Sequence, residues 1–470
     1  MSARSIAKRT KKEMNMTEGP LFGKIVMFAL PLMLSGILQL LYNAADTIVV
    51  GRFAENGQTA LAAVGSTGAL TNLIVNLFIG LSVGTSVAVS HALGARNDDD
   101  VHKLVHTSIL TSLIGGVIVS FIGIALAKPL LQLMDTPDTV INFSVLYMRI
   151  IFCGMPAQML YNYGAAILRA KGDTKRPLLI LSLTGIVNVL LNLVLVIGCH
   201  LDVAGVAIAT ITSQYLSAAL ILWFLPRQTG ALRFSFKELR FDREKFRRIL
   251  AIGVPCGVQG SLFSISNVLI QSSINSFGEI AVAGNSAGAN IEGFVYTAMN
   301  ALYQASMTFT GQNVGAKKPK RILRVLRASL IVVCLVWCIV GGAALIFRVP
   351  LLSLYVDAKD PNFDEVVRYG AERIAIVGAT YFLCGLQEVV LGSLRGMGKT
   401  IGPAIVSFLG ACGLRIVWIY TVFQMWRSLN TLYVVYPVSW IVTTAVLLVL
   451  LAVAYKQFKK RVELMGLPIT

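Results

Sequence analysis

ALPLMLSGILQLLYNAADTIVV, residues 29–50, carries one charged side chain, Asp46. As a helix rising about 1.5 Å per residue, it is long enough for the ~30 Å hydrocarbon core of a bilayer. Similar runs recur along the whole chain of 470 residues. They lie near 24–50, 60–88, 104–127, 139–164, 178–199, 204–225, 248–273, 283–310, 323–347, 365–391, 402–424 and 432–455. Composition agrees: 56% of residues are hydrophobic, 14% are charged, and mean hydropathy is +0.72. A soluble domain has roughly a quarter charged residues. The expected fold is an all-α polytopic membrane protein with about twelve transmembrane helices.

The net charge of +18 would suggest nucleic acid in a soluble protein, but its distribution gives a different answer. Of 41 basic residues, 31 fall in the two tails and the even-numbered connections. The connection at 227–248 alone holds Arg227, Arg233, Lys237, Arg240, Arg243, Lys245, Arg247 and Arg248. Acids such as Asp135, Asp138, Asp202, Asp357, Asp360 and Asp364 collect in the odd connections. Positive-inside bias then puts both termini and the even connections in the cytoplasm of a multi-pass cell-membrane protein. No nucleic-acid partner is expected. The seven cysteines lie in or beside apolar runs without a CxxC, which points to packing, not a disulfide framework.

The two halves resemble each other. ALPLMLSG (29–36) matches GVPCGVQG (253–260), and AAVGSTGA (62–69) matches VAGNSAGA (282–289). LGARNDDDVHKLV (93–105) matches VGAKKPKRILRVL (314–326), and LRAKGDTKRP (168–177) matches LRGMGKTIGP (394–403). Four anchors in one order at nearly one offset indicate six helices, duplicated. Six is even, so both copies keep one orientation and form two pseudo-symmetric lobes. The expected organisation is a tail at 1–20, a first lobe at 21–225, a linker at 226–247, a second lobe at 248–455 and a tail at 456–470. FKELRFDREKFRR in the linker is amphipathic and is expected along the inner membrane surface. The repeat also explains GMGKT (396–400). It imitates the end of a phosphate-binding loop, but Ser393 stands where that pattern needs glycine, and its partner in the first half is AKGDT.

Charged residues within spanning helices are functional hypotheses by default. Asp46 either reaches the outer interface or works inside. Tyr42 shares its helix face, Asn188 and Asn192 have the same four-residue spacing on helix 5, and Thr210 sits in GVAIAT. Their oxygens suit Na⁺, and a buried carboxylate equally suits H⁺; asparagines also link helices simply by hydrogen bonding. Gln39, Gln259, Asn290, Glu292, Gln387 and Glu388 are candidates for a substrate cleft, where the acids would pair with cationic compounds. Met299 and Met307 read as core filler. His102 and His106 follow Asp98–Asp100 at a metal-like spacing, but Lys317, Lys318 and Lys320 stand there in the other half, so a solvated loop is the simpler reading. No nucleophile set, metal-hydrolase motif or nucleotide fingerprint is readable, so no enzyme and no cofactor are expected.

PLMLSGILQLLYNAADTIVVGRF, LAAVGSTGAL, HALGARN, LRAKGDTKRP, GVAIAT and LRGMGKT resemble the bacterial branch of the MATE family, the multidrug and toxic compound extrusion transporters. The resemblance covers about residues 15–460. It implies a V-shaped pair of six-helix lobes that acts as a monomer. It also implies export of small organic, often cationic, compounds against H⁺ or Na⁺ by alternating access. It assigns the coupling ion to Asp46, Asn188, Asn192 and Thr210, with Tyr42 beside them. Two departures matter. Asn192 stands where some relatives carry aspartate, and Phe263 stands where one sodium-coupled branch has a carboxylate. The rival readings are a lipid-linked sugar flippase of the related superfamily, a membrane-embedded enzyme and a passive channel.

Overall fold

A computed structural model describes residues 14–54, 57–134, 136–356 and 361–467. The basic tail residues Arg4, Lys8, Arg9, Lys11 and Lys12, and Asp135, Asp357 and Asp360, lie outside these. The described residues form helices and short connections with no strand. The first six long elements are α1 (Phe22–Phe53), α2 (Gly57–Gly94), α3 (Asp98–Leu133), α4 (Asp138–Cys153 and Met155–Lys171), α5 (Lys175–Gly198) and α6 (Asp202–Phe224). The second six are α7 (Arg243–Asn275), α8 (Glu279–Gly315), α9 (Pro319–Ile346), α10 (Phe363–Gly378 and Tyr381–Gly396), α11 (Ile401–Met425) and α12 (Leu429–Leu464).

Among the described residues nine of these are long and apolar enough to cross a membrane, and the two bent ones bring the number to 11. The bends occur at equivalent places, 45° in α4 and 44° in α10. The twelfth, α8, falls short on apolarity because it carries Asn285, Glu292, Gln312 and Asn313. All four are buried, so protein rather than lipid surrounds them. Four stretches are π-helical: Leu193–Gly198 in α5, Trp337–Gly341 in α9, Ile374–Gly378 in α10 and Leu409–Gly413 in α11. Such segments interrupt the regular hydrogen-bond ladder and often mark functional sites.

The paired motifs fold alike. After α4, Gly172 has φ +99°, and its N–H donates to Arg169 O at 2.8 Å. After α10, Gly398 has φ +76°, and its N–H donates to Arg395 O at the same 2.8 Å. Glycine enters this left-handed region without a Cβ penalty, which is why helices end on it. The GMGKT segment is therefore a helix C-cap and not a strand-to-helix phosphate loop. Arg96 and Lys317, at φ 54° and 55°, repeat the same kind of turn between α2 and α3 and between α8 and α9.

Internal packing divides the chain into two units. One contains Leu34–Gly257, and the other contains Asn15–Met33 with Val258 onward. The lobes expected at 21–225 and 248–455 follow chain order. The packing units differ from them at the start of α1 and the start of α7.

In the first unit, the beginning of α7 lies against α2. A Cβ on Gly80 would sit 2.2 Å from Gly257 Cα, and one on Gly84 would sit 2.1 Å from Ile249 O. A Cβ on Gly253 would sit 2.7 Å from Leu81 O, and one on Gly257 would sit 2.3 Å from Leu77 O. Two four-spaced glycine pairs thus face each other and allow a backbone-to-backbone approach. The linker before α7 is docked on α3. Phe234 and Leu232 are buried against Leu104, Val105, Ile109 and Ile221. Lys245 pairs with Asp100 at 2.8 Å, and Asp242 N–H donates to Thr107 Oγ1 at 3.2 Å.

The second unit repeats this device with the segment before α1. Met16 is fully buried. Its carbonyl accepts from Asn313 Nδ2 and Arg321 Nε, each at 3.2 Å. Lys318 and Arg321 also reach the carbonyls of Thr17 and Gly19. Phe28 of α1 packs edge-on against Phe309 of α8 at 5.7 Å.

The glycine contact predicts a graded stability result. Gly80→Leu should destabilise by at least the ~1–3 kcal/mol typical of overpacking. Gly65→Leu, on the same helix with nothing within 4 Å of its Cβ position, should be tolerated. Thermal unfolding in detergent compares them; equal melting temperatures would refute the close approach.

Candidate functional site

Two four-residue spacings meet in the first unit, one from α1 and one from α5. Tyr42 and Asp46 share a face of α1. Opposite Tyr42, α5 places Gly185, where a Cβ would lie 1.8 Å from the tyrosine Cε2. The glycine leaves room for the ring, and the phenol donates to Ser182 O at 3.2 Å. One turn further along α1, Asp46 meets Asn192, whose Nδ2 donates to the carboxylate Oδ1 in a short contact. The same Nδ2 lies 3.4 Å from Asn188 Oδ1. Asp46, Asn192 and Asn188 therefore form one hydrogen-bonded chain, and Tyr42 braces the same pair of helices.

The surroundings are apolar. Asn192 and Asn188 are buried, while Asp46 is half-buried. Val49 and Val50 of α1, Ala60 and Ala63 of α2, Val196 in the π-helical end of α5, and Val203 and Val206 of α6 form a cluster beside it, with Tyr147 packed on them. Asn192 Oδ1 is buried with no hydrogen-bond partner. Thr210 is not joined to the chain: its hydroxyl donates to Val206 O of its own helix at 2.9 Å. The arrangement can hold one positive charge, because a carboxylate and two amide oxygens stand within one small, weakly solvated space.

The six expected cleft residues have diverse surroundings. Glu292 is buried on α8, and its carboxylate is already paired. Arg373 of α10 donates to it from Nε at 3.1 Å and from Nη2 at 2.7 Å. Arg373 Nη1 donates to Asn285 Oδ1 at 2.7 Å, so all three of its nitrogens are engaged. Such a two-point pair is strongly directional and leaves Glu292 no charge to offer a cation. Gln259 accepts from Arg395 Nη2 at 2.7 Å, and Arg395 Nη1 donates to Tyr303 Oη at 2.5 Å. Glu388 is half-buried within the field of Arg395. Gln387 is buried, with its Oε1 unpartnered. Gln39 and Asn290 are exposed. Sequence reasoning missed Arg373, the partner of Glu292, and the buried Arg415 of α11. The signal for Arg415 was an arginine in an otherwise apolar run, whereas Arg373 follows the charged stretch FDEVVRYGAE.

His102, His106 and Glu238 bring potential metal-ligand atoms within 4.8 Å of one another. Both nitrogens of His106 are in use: Nδ1–H donates to His102 O at 2.8 Å, and Nε2 accepts from Ser235 N–H at 3.1 Å. His102 Nε2 meets Glu238 at 2.8 Å, and His106 stacks on Phe234. The cluster therefore fastens the linker to α3.

The sequence model of the MatE family matches residues 31–194 and again 255–421, once in each half. A probable multidrug resistance protein of Bacillus subtilis is 28% identical over 83% of this chain and 84% of its own length. A probable multidrug resistance protein of Thermotoga maritima is 26% identical, with 82% of each chain covered. Among solved structures, an outward-facing multidrug resistance MATE transporter superposes with a TM-score of 0.88 at 21% identity, over 96% of this chain and 99% of that one.

The buried ion pair predicts strong coupling between two positions. Arg373→Leu alone strands a buried carboxylate and should cost about 3–5 kcal/mol, whereas joint replacement with Glu292→Leu should be far milder. A double-mutant cycle on unfolding in detergent measures this. If the two effects simply add, the pair is not coupled.

Proposed function

The chain belongs to the MatE family, whose members are transporters and not enzymes, and on that premise we propose that it is a secondary-active multidrug exporter driven by ion entry at Asp46. It is a multi-pass membrane protein. The proposal places it in the cell membrane with both termini cytoplasmic, acting as a monomer on small organic compounds. The multidrug resistance names of its relatives support the substrate class. The observation that carries the coupling role is the Asp46–Asn192–Asn188 chain, set among valines with one amide oxygen unpartnered.

The ion is H⁺ or Na⁺, and the two use the site differently. A proton would settle on the carboxylate and remove its charge. A sodium ion would draw the oxygens of Asp46, Asn188 and Asn192 around itself, with Asn192 turned so that its oxygen faces the ion. In either case binding changes what holds α1 to α5, so α1 and the π-helical end of α5 can occupy two arrangements. Linkage then requires that ion and substrate affect each other's affinity equally. A coupling free energy of ~1–3 kcal/mol corresponds to about 5–150-fold in substrate affinity. That difference would allow uptake of compound on one side of the membrane and release on the other by alternating access.

The test uses purified protein in vesicles with H⁺ and Na⁺ gradients imposed and collapsed separately. Wild type should accumulate a dye uphill with one gradient and not with the other, which identifies the ion. Asp46→Asn should retain folding and dye binding but lose gradient-driven accumulation. Uphill transport at the wild-type rate by Asp46→Asn would sink the coupling role.

A further inference from the structure

The second unit holds two buried arginines, and they differ in their partners. Arg373 has a carboxylate and an amide on its three nitrogens. Arg415 of α11 is 1% exposed, yet neither Nη1 nor Nη2 has a hydrogen-bond partner. Among the described residues only its Nε approaches an acceptor, Ser439 Oγ at 3.4 Å. Among the described residues no acid pairs with it, and Glu292 is already held by Arg373. Aromatic faces flank it instead: the guanidinium carbon lies 4.5 Å from the Tyr436 ring centroid and 5.4 Å from that of Phe263. Cation–π contacts ease the burial of such a group but supply no acceptor for its N–H groups.

The neighbouring face of α12 carries more unpaired donors. Tyr433, Tyr436, Ser439, Trp440 and Thr443 fall at helical spacing on one side. The Tyr433 and Thr443 hydroxyls are buried with no hydrogen-bond partner. The rings continue from Tyr436 to Trp440 at 5.9 Å and from Trp440 to Tyr381 at 5.2 Å. The π-helical segment Leu409–Gly413 ends just before Arg415. Phe263 rests on the guanidinium yet is 37% exposed, so displacing one ring would uncover the charge.

We propose that Arg415 anchors an anion-accepting site inside the second unit, which takes the carboxylate, sulfonate or phosphate of an aromatic organic anion. Nη1 and Nη2 form the planar fork that matches such groups, and Tyr436, Phe263 and Trp440 supply flat apolar walls for the ring system. The site rests on the export reading only for what it does with its ligand; that the ligand binds is a separate claim. It narrows the substrate class, because an unneutralised guanidinium repels cations from the same space.

Equilibrium binding to the full-length purified protein tests this without any gradient. The probes are fluorescein, an anionic xanthene, and tetramethylrhodamine methyl ester, a cationic one of similar shape, both read by fluorescence anisotropy. Fluorescein should bind more tightly. Arg415→Gln should weaken fluorescein by about 10- to 100-fold, the range for loss of a charged hydrogen bond, and leave the cationic dye unaffected. Arg415→Lys should restore part of the loss. In wild type, which requires no variant to fold, naphthalene carboxylate should displace fluorescein and naphthylmethylammonium should not. Equal displacement by both, or unchanged fluorescein affinity in folded Arg415→Gln, would overturn the proposal. Charge-selective binding without uphill transport would instead overturn the export reading and leave this site standing.

Discussion

Hydrocarbon offers a polar group no partner, and the interior of this protein is organised around that constraint. A buried donor or acceptor must be satisfied by protein or it carries a penalty. Most here are satisfied locally: serine and threonine hydroxyls return to carbonyls three or four residues back, as Thr67, Thr111, Ser182 and Thr184 do. The exceptions show where something else happens. Asp46 and Asn192 bond across two helices 146 residues apart. Glu292 and Arg373 bond across 81. Each of these contacts joins a helix with a π-helical segment, α5 or α10, to a helix without one.

The same constraint accounts for the glycines. Helices in lipid gain no hydrophobic drive to associate, so close packing supplies the attraction. Gly80 and Gly84 against Gly253 and Gly257 bring α2 and the start of α7 to backbone contact. In the second unit, Gly392 and Gly396 of α10 do this against Tyr303 O and Met307 O of α8, each within 2.5 Å of the would-be Cβ. Repeat symmetry thus conserves the method and not the residues: glycine pairs secure a different pair of helices in each unit.

The sequence revealed much of this through periodicity and little through partners. Apolar runs marked the helices, and the paired LRxxG turns marked the duplication, because a left-handed turn needs glycine at one position. Asp46, Asn188 and Asn192 were legible together because each lies at a four-residue spacing in an apolar run. The ion pair of Glu292 was not, since no local pattern says which arginine, 81 residues away, will reach it. The packing units were also hidden. Hydrophobic periodicity reports that the start of α1 is buried but not against which helix, and the polar Asn15–Gly19 segment looked like free tail until its carbonyls met Asn313, Lys318 and Arg321.

The duplication sharpens the contrast in charge between the halves. Under the offset that aligns α1 with α7, Asp46 corresponds to Ile270. Ile270 is 1% exposed and sits in an apolar cluster with Ile274, Leu432, Tyr433 and Trp440. The second copy therefore has no acid where the first has its carboxylate. Among the described residues it buries Arg415 without an acid partner, on the helix that corresponds to α5, whose asparagines meet Asp46 in the first copy. One scaffold thus presents an acid to amides in one unit and a base to aromatic rings in the other. A cation that enters by the first and an organic anion held by the second would not compete for the same groups. Any effect of one on the other would then have to pass through the helices, which is the form of linkage a coupled exporter requires.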